Sequence, residues 1–442
     1  MKAAASDAEA VVREGDEFSV NVRMGEVETL KESGSRGLGL RVFLGTRSAS
    51  TSTSDLTADG IRQLVEGAVA LARVTEEDPF AGLPETAEFG SCISDTGDLH
   101  LYYDDVYSLS GQERIEWARR CEAAALAADP RITNSDGGSF DAATGRKVMA
   151  NSRGFVGGYR TSYAGVSAAP LAMDADGKMQ RDGWWSGARR LADLESPEAI
   201  GQEAARRALR RLGARKVPTQ RVPIIFAPEV ARSLIGSIFE AASGDSIWRH
   251  SSFLVGKLGT QIAASSLTLI DDNAMLLPTG AGGFGSSPFD GEGLPSRRTV
   301  VVENGVLQTW LLNTYSARKL GLKSTHNASR GLAGTPGIGC GNLYLEPGTL
   351  TPEEIIAQTQ TGLYVTSLMG FGTNIVTGDY SRGATGLWIE NGQLTHAVEE
   401  VTIAGNLAEM LLNVTAVGND LVFRGSVASP TLRIDSMTIA GA

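Results

Sequence analysis

Histidine is scarce in this chain, with only 4 among 442 residues. The two nearest, His326 and His396, are 70 positions apart. A helix that holds catalytic zinc needs two histidines about one turn apart and a glutamate that activates water. Neither HExxH nor HExxxH can be written at any position. A zinc site assembled from isolated histidines stays open, although a lone histidine is more often a surface or hydrogen-bonded residue.

Cysteine and long apolar segments are also lacking. The three cysteines, Cys92, Cys121 and Cys340, lie 29 and 219 positions apart, which excludes a CxxC pair and offers no disulfide framework. The first residues lack the basic and apolar regions of a signal peptide, and no run of 18 apolar residues occurs. We therefore expect a cytoplasmic protein without a membrane partner.

Positive charge is in deficit, since 40 Lys and Arg face 51 Asp and Glu, a net charge of -11. Such a field repels phosphate backbones, so no nucleic-acid partner is expected. The main basic cluster lies at helical spacing between Arg206 and Lys216 and contains Arg207 and Arg210. We predict that it is the solvated face of an amphipathic helix rather than a phosphate-binding patch.

The sequence lacks the nucleophile motif of serine hydrolases, and its one match to a dinucleotide-binding motif is in an unsuitable context. No serine has glycine two positions before and after it, so the nucleophile elbow of serine hydrolases is absent. Gly280 to Gly285 fits GxGxxG, but the residues that follow cannot open a helix that would hold a pyrophosphate. The sequence thus supports neither a serine hydrolase nor a dinucleotide-binding enzyme.

Glycine, in contrast, is abundant, with 53 residues against 15 prolines, and this predicts many tight turns. Asn304-Gly305 and Asn391-Gly392 each lie between apolar strands, as expected of type I′ hairpins. Residues 17–53 alternate between apolar and polar and predict an antiparallel meander. Residues 131–192 predict short strands, broken for example at Asp136-Gly137-Gly138.

Three helices are predicted in the first half of the chain. Thr57 can cap the first, whose apolar stripe includes Ile61, Leu64, Ala68 and Leu71. The second spans roughly residues 112–128, with Cys121 in the core. The third begins with Ser196 as its cap and Pro197 in its first turn.

The polar, proline-interrupted segment 213–223 is the best candidate for a domain boundary. We predict an α+β fold: an N-terminal α+β domain at 1–215, with an antiparallel sheet and packed helices, and a mostly antiparallel β domain at 222–442. As an alternative to a single N-terminal domain, a further boundary near 85–110 would divide it in two.

The segment from Phe371 to Glu399 resembles the C-terminal signature of the TldD/PmbA peptidase family, whose members also carry the name modulator of DNA gyrase. Further blocks in the same order resemble its PmbA branch, also called TldE. These blocks are STSTSDLT (50–57), EDPFAGLP (77–84), RITNSDGGSF (131–140), SPFDGEG (287–293), WLLNTYSARKLGLKST (310–325) and EVTIAGNLAEML (400–411).

The resemblance implies where zinc is held. In this family, TldD-type subunits bind zinc through an HExxxH helix and a cysteine near the C-terminus, and PmbA-type subunits pair with them as non-catalytic partners. The corresponding helix here, around Phe239 to Gly244, has no histidine, and Glu240 alone cannot hold zinc. No cysteine follows Cys340. We therefore expect no catalytic residue, metal ligand or cofactor in this chain, and zinc in the partner subunit.

The resemblance also implies a heterodimer with a TldD-like metallopeptidase subunit, enclosing a cavity in which small or unfolded peptides are cut. As a hypothesis, Asp379, Tyr380, Ser381 and Arg382 line this cavity, because charged and hydroxyl groups are grouped there between glycines. The alternative is that Asp379 and Arg382 only brace a turn.

Two other functions remain open at the level of sequence. The leading alternative is a homodimeric peptide-binding or chaperone-like protein without protease activity, and a third is an autonomous hydrolase with an unrecognised site. A TldD-like gene beside this one would favour the heterodimer, whereas zinc retained by the isolated chain would favour the hydrolase.

Overall fold

The computed structural model describes residues 5–89 and 99–441. Cys92 and part of the sub-boundary predicted near 85–110 lie outside these residues. The elements of the first half are β1 (Asp7–Arg23), β2 (Glu26–Leu44), β3 (Arg47–Thr53), α1 (Ala58–Val74), α2 (Gly111–Ala127), β4 (Ile132–Asn151), β5 (Val156–Met173), β6 (Met179–Arg181), β7 (Trp184–Ala188) and α3 (Pro197–Leu209).

These strands form one antiparallel sheet in the order β3-β2-β1-β4-β5-β6, with β7 also paired to β5. Its central strands are long, since β4 has 20 residues and β5 has 18. The prediction of short strands broken at Asp136-Gly137-Gly138 is wrong. A bulge between Ser135 and Gly138 absorbs the irregularity, so that β4 continues through it.

Helices α2 and α3 pack on this sheet through small apolar side chains. Cys121 and Ile200 are fully buried there, as predicted for Cys121. Ser196 caps α3, its hydroxyl accepting a hydrogen bond from the Ala199 amide, and Pro197 occupies the first turn, which confirms the predicted start.

Helix α1 is capped by Thr57, as predicted, but its apolar stripe is narrower than expected. Leu64 and Ala68 are buried, whereas Ile61 and Leu71 are 38% and 48% exposed. The helix covers only β2 and β3 at the end of the sheet, and the flanks of its stripe therefore face solvent.

The basic residues of α3 and the turn after it are not uniformly solvated. Arg207 is buried, stacks 4.5 Å from the centre of the Trp184 ring and pairs with Glu229 at 3.3 Å. The Arg210 guanidinium lies 3.7 Å from Asp182. The prediction of a solvated face is wrong for these two arginines, because Trp184 and the acidic side chains around it cover that side of the helix.

The second half of the chain begins with β8 and α4. Its elements are β8 (Gln220–Phe226), α4 (Pro228–Ala242), α5 (Gly244–Trp248), β9 (Leu269–Asp272), β10 (Arg298–Glu303), β11 (Val306–Leu307), α6 (Thr314–Leu320), β12 (Ala328–Ser329), β13 (Gly337–Ile338), β14 (Asn342–Leu345), α7 (Pro352–Ala357), β15 (Thr361–Met369), β16 (Asp379–Glu390), β17 (Gln393–Asn406), α8 (Leu407–Leu412), β18 (Val414–Val417), β19 (Val427–Ala428) and β20 (Leu432–Ala440).

In this half, one sheet has the order β17-β16-β15-β8-β20-β18, with β17 also paired to β20, and another has the order β11-β10-β9-β14-β19. Most pairings are antiparallel, although β8 with β15 and β14 with β19 are parallel. Helix α4 lies in the apolar core between the sheets, burying Leu234, Ile235 and Ile238.

The two Asn-Gly turns join β10 to β11 and β16 to β17, and Asn304 and Asn391 have φ of 48° and 51°. Both hairpin predictions are confirmed. The predicted α+β class with mostly antiparallel sheets is confirmed as well. Within the described ranges, no helix is both long and apolar enough to cross a bilayer.

Candidate functional site

A cleft of about 520 Å³ lies between the face of the first sheet and loops of the second half of the chain. Strands β1, β4 and β5 form its floor. The opposite wall consists of residues 284–291, 327–330 and 339–341, together with Asn273. Its volume is in the range of clefts that bind small molecules or short peptide segments.

The floor follows from the register of the long strands. Arg13 of β1 lies opposite Lys147 of β4, and Lys147 lies opposite Tyr159 of β5. Two positions further along, Gly15 lies opposite Gly145. Because residues two apart in a strand share a face, both rows belong to the cleft side of the sheet.

Gly145 leaves part of the cleft floor without a side chain. A Cβ atom at Gly15 would lie 2.7 Å from the Thr144 carbonyl oxygen, and one at Gly145 would lie 2.9 Å from the Thr161 hydroxyl. Side chains larger than hydrogen therefore do not fit at these positions without local movement, and the space above Gly145 belongs to the cleft.

Lys147 is the most unusual charge in this cleft. The side chain is nine-tenths buried, and its ammonium lies 5.4 Å and 5.9 Å from the ring centres of Phe289 and Tyr159. No carboxylate in the described part of the chain forms an ion pair with it. Burial lowers the pKa of Lys147 to about 8, so the ammonium is still mostly protonated at neutral pH.

A second buried cation, Arg189, is bound by carbonyl groups alone. Its Nε donates to the Gly282 oxygen at 2.8 Å, and its Nη2 donates to the Gly283 oxygen at 2.6 Å. Burial lowers the pKa of Arg189 to about 10, which leaves it charged at neutral pH. It fixes the glycine-rich loop 280–285 against the sheet and adds positive charge to the cleft.

Two buried acidic residues near the cleft, Asp290 and Glu292, are already bound by neighbouring groups. Asp290 accepts hydrogen bonds from the amides of Glu292, Leu294 and Ala328 at 2.8, 2.9 and 3.1 Å. Glu292 accepts from the Thr314 amide and hydroxyl at 2.9 and 2.6 Å. Burial raises the pKa of both carboxyl groups, that of Glu292 to about 7 with a further contribution from Asp290.

A buried ion-pair network lies beneath the cleft and links the two halves of the chain. Glu9 of β1 lies 2.7 Å from the Arg330 guanidinium and 3.2 Å from that of Arg41. Arg13 donates to the carbonyl oxygen of Arg330. The loop after β12 is thereby held on the first sheet.

Cys340 lines the cleft, but its environment is unsuitable for a nucleophile. Burial, and secondarily the nearby Asp271 carboxylate, raises the pKa of the Cys340 thiol to about 12. Since the thiolate is the reactive form, this cysteine is inert at neutral pH.

The four residues predicted to line a peptide cavity lie elsewhere, at the start of β16. Tyr380 is buried in the apolar core, and Ser381 is exposed. Asp379 accepts a hydrogen bond from the Thr377 hydroxyl at 2.7 Å within the turn, and Arg382 is partly exposed. None of the four lines the cleft. That they face a cavity between subunits stays a prediction.

The helix expected at the position of a metal helix is α4. Its buried face is apolar, and Glu240 points to solvent. Throughout residues 5–89 and 99–441, no three His, Cys, Asp or Glu side chains gather in a way that could hold a metal ion. His326 and His396 instead make hydrogen bonds through Nδ1, to Pro295 and Arg215 respectively.

Sequence reasoning missed Arg13, Lys147 and Arg189. The available signal was the lysine at position 147, which alternates with Gly145 and Met149 on the buried face of a strand. A charged residue at a core position is rare unless it is paired or functional. The short-strand prediction for this region concealed the alternation.

Comparison with known proteins places the chain in a family. Models described as PmbA/TldA metallopeptidase domain 1, central domain and C-terminal domain match residues 8–72, 104–212 and 219–441. The chain belongs to the PmbA/TldD metallopeptidase family. This confirms the resemblance found from the matching blocks of sequence.

Relatives within this family align along nearly the whole chain. Metalloprotease PmbA of Escherichia coli O157:H7 is 41% identical over 98% of this chain and 92% of its own length. The PmbA homologue of Haemophilus influenzae is 37% identical over 99% of this chain and 93% of its own length. A TldD homologue from the same organism is 24% identical over 92% of this chain and 87% of its own length.

Solved structures of the family share the fold. A crystal structure from Bacteroides thetaiotaomicron, named for modulation of DNA gyrase, has a TM-score of 0.90 and 27% identity, over 99% of this chain and 95% of that one. TldE from Thermococcus kodakarensis has a TM-score of 0.85 at 22% identity, over 99% and 97%. The latter likeness bears on the fold alone.

Proposed function

We propose that this chain is a non-catalytic subunit of a cytoplasmic TldD/TldE-type metallopeptidase complex that degrades or processes small or unfolded peptides. The partner is a TldD-like subunit that supplies the zinc. The names of the relatives support the peptidase context, since two that align along nearly the whole chain are called metalloprotease PmbA and its homologue.

One observation carries the non-catalytic role. Helix α4 lies where the family's metal helix is expected, yet its inward side chains, Leu234, Ile235 and Ile238, belong to the apolar core. Its polar Glu240 faces outward without a histidine or cysteine to complete a site. A zinc ion needs three or four donor groups at about 2.0–2.3 Å, and the described residues provide no such group.

The loop between β15 and β16 supports the presence of a protein partner. Met369 at the end of β15 is 55% exposed, and Phe371 and Val376 in the loop are 100% and 52% exposed. The loop contacts the predicted cavity residues, because the Ser381 amide donates to the Gly372 carbonyl at 2.7 Å. A fully exposed phenylalanine on a glycine-flanked loop is typical of a surface that another subunit covers.

The proposal is tested by peptide cleavage with three preparations: this chain, a TldD-type subunit, and their mixture, with zinc measured in each. We expect cleavage only in the mixture and zinc only in the TldD-type subunit. Activity together with stoichiometric zinc in this chain alone would overturn the proposal.

The variant Phe371→Ser examines the contact with the partner. We expect it to weaken the stimulation of cleavage, because the partner subunit would lose the apolar contact that the phenyl ring provides. Val422→Ser, which alters another exposed apolar residue, is the matched control. A stable self-association of this chain with no stimulation of any TldD-type subunit would favour a homodimeric peptide-binding protein instead.

A further inference from the structure

We propose that Arg13 and Lys147 bind a carboxylate group of a peptide ligand in the cleft, next to the floor position of Gly145, which carries no side chain. The identification of the ligand as a peptide rests on the proposed function. Its carboxylate is inferred from the charges and the shape of the cleft.

The first argument is that two like charges face each other and no carboxylate in the described residues forms an ion pair with either, although Asp290 and Glu9 act on Lys147 from a greater distance. Arg13 and Lys147 are directly opposed in the β1–β4 register, which places their Cβ atoms roughly 5 Å apart. Such a pair is destabilising on its own. The Arg13 guanidinium donates only to the Arg330 carbonyl, and neither cation has an ion-pair partner among residues 5–89 and 99–441. An anion between them would remove the repulsion.

The second argument is that the neighbouring acids cannot supply this anion. Asp290 is held by three backbone amides, and Glu9 is shared by Arg41 and Arg330. Glu17 also lines the cleft, but it is four residues along β1 from Arg13, roughly 13 Å away at the rise of a strand. The position between the two cations is therefore left for a ligand.

The third argument is shape. Gly145, two residues from Lys147 on β4, leaves part of the cleft floor without a side chain, and an extended backbone can lie there. The rings of Tyr159 and Phe289 form an apolar wall beside Lys147. An arginine fork can bind a carboxylate through two hydrogen bonds, and a lysine adds a point charge. This arrangement suits the free C-terminus of a short peptide or an acidic side chain near it.

The test is a fluorescence anisotropy titration of the isolated chain at pH 7. The probes are N-terminally labelled Ala-Ala-Ala with a free carboxylate, the same peptide as its C-terminal amide, and amidated Ala-Glu-Ala. We expect the free acid to bind at least tenfold more tightly than the Ala-Ala-Ala amide. Recovery of affinity by amidated Ala-Glu-Ala would assign the carboxylate to a side chain; no recovery would assign it to the C-terminus.

Two variants locate the binding to the proposed residues. Lys147→Met and Arg13→Met should each weaken binding of the acid tenfold or more while leaving binding of the amide unchanged. The urea midpoint of Lys147→Met should equal or exceed that of the wild type, because the like-charge repulsion is removed, so misfolding cannot explain its loss of binding. Arg13→Met also loses the hydrogen bond to the Arg330 carbonyl, and its midpoint should fall by no more than that one bond contributes. Arg146→Met is the matched control: Arg146 is next to Lys147 on β4, faces the other side of the sheet and pairs with Glu14.

Equal affinity for all three peptides, or no binding to the chain at millimolar peptide, would overturn the proposal. So would unchanged binding of the acid by Lys147→Met, or displacement of the acid by inorganic phosphate at lower concentration than by acetate. The titration contains no partner subunit. A failure of the proposed peptidase role is therefore seen in the cleavage assay and not here.

Discussion

At the scale of single residues, burial sets the chemistry of the ionisable groups around the cleft. The Asp271 carboxylate accepts hydrogen bonds from Asn327 Nδ2 and the Gly341 amide at 2.6 and 2.8 Å. These bonds favour the charged form, but desolvation outweighs them and raises the pKa of Asp271 to about 6. The Asp271 carboxyl group therefore holds the loop around Gly341. Its ionisation at this buried position lowers the free energy of unfolding.

This pKa shift predicts a pH-dependent stability. A carboxyl group whose pKa is higher in the folded than in the unfolded state contributes stability that is complete below pH 4 and is lost as the pH rises through 6. Between pH 4 and pH 7, the free energy of unfolding should fall by about 2 kcal/mol more in the wild type than in Asp271→Asn. Urea unfolding at several pH values measures this, and parallel curves for the two proteins would contradict it.

At the scale of elements, the hairpin turns depend on glycines whose surroundings differ. Gly392 has φ of 75°, and a Cβ atom there would lie 2.5 Å from the Ala357 carbonyl oxygen. Gly25, in the turn between β1 and β2, has φ of 84°, but a Cβ atom there would meet nothing within 4 Å. Gly392 is required both because its φ is positive and because a Cβ atom would not fit. Gly25 is required only because its φ is positive.

Alanine substitution separates these two requirements. Gly25→Ala should cost about 1 kcal/mol of unfolding free energy, the strain of an L-residue with positive φ. Gly392→Ala should cost about 2–4 kcal/mol, because α7 must also move away from the hairpin. Chemical denaturation measures both values. Equal losses would mean that α7 yields freely and that its contact with the β16–β17 turn is unimportant.

At the scale of the whole molecule, the ion pairs of Glu9 connect the first sheet to the second half of the chain. Arg330 is fully buried, and its side chain is 2.7 Å from Glu9. Next to this pair, the Phe155 and Phe289 rings meet edge to face, with centres 5.1 Å apart. Apolar packing and a buried charge pair thus fix the same interface.

Breaking the charge pair should destabilise the whole chain. Glu9→Gln leaves Arg41 and Arg330 buried without a carboxylate and should lower the free energy of unfolding by about 3–5 kcal/mol. Glu14→Gln, which removes an exposed partner of Arg146 on the same strand, should change it by less than about 1 kcal/mol. A loss below 1 kcal/mol for Glu9→Gln would show that apolar contacts alone hold the two halves together.

Local signals in the sequence were sufficient to predict the hairpin turns, the helix caps and the fold class. Asn391-Gly392 specifies a hairpin because the type I′ turn needs positive φ at both positions, and Ser196-Pro197 starts a helix because a hydroxyl and a fixed φ favour its first turn. Each of these depends on a few neighbouring residues. The same holds for the family blocks and for the missing HExxxH helix, which are read directly from the order of residues.

Only the tertiary structure decided where charges are buried and which residues meet. Lys147 and Arg13 are 134 positions apart, and their opposition depends on the register of two long strands. The helical spacing of the basic residues predicted that Arg207 lies at the surface, but Trp184 covers it. Tyr380 lies among polar residues in the sequence, yet strand alternation turns its ring into the core. Burial and pairing between distant segments depend on the packing of the complete chain, which local patterns do not encode.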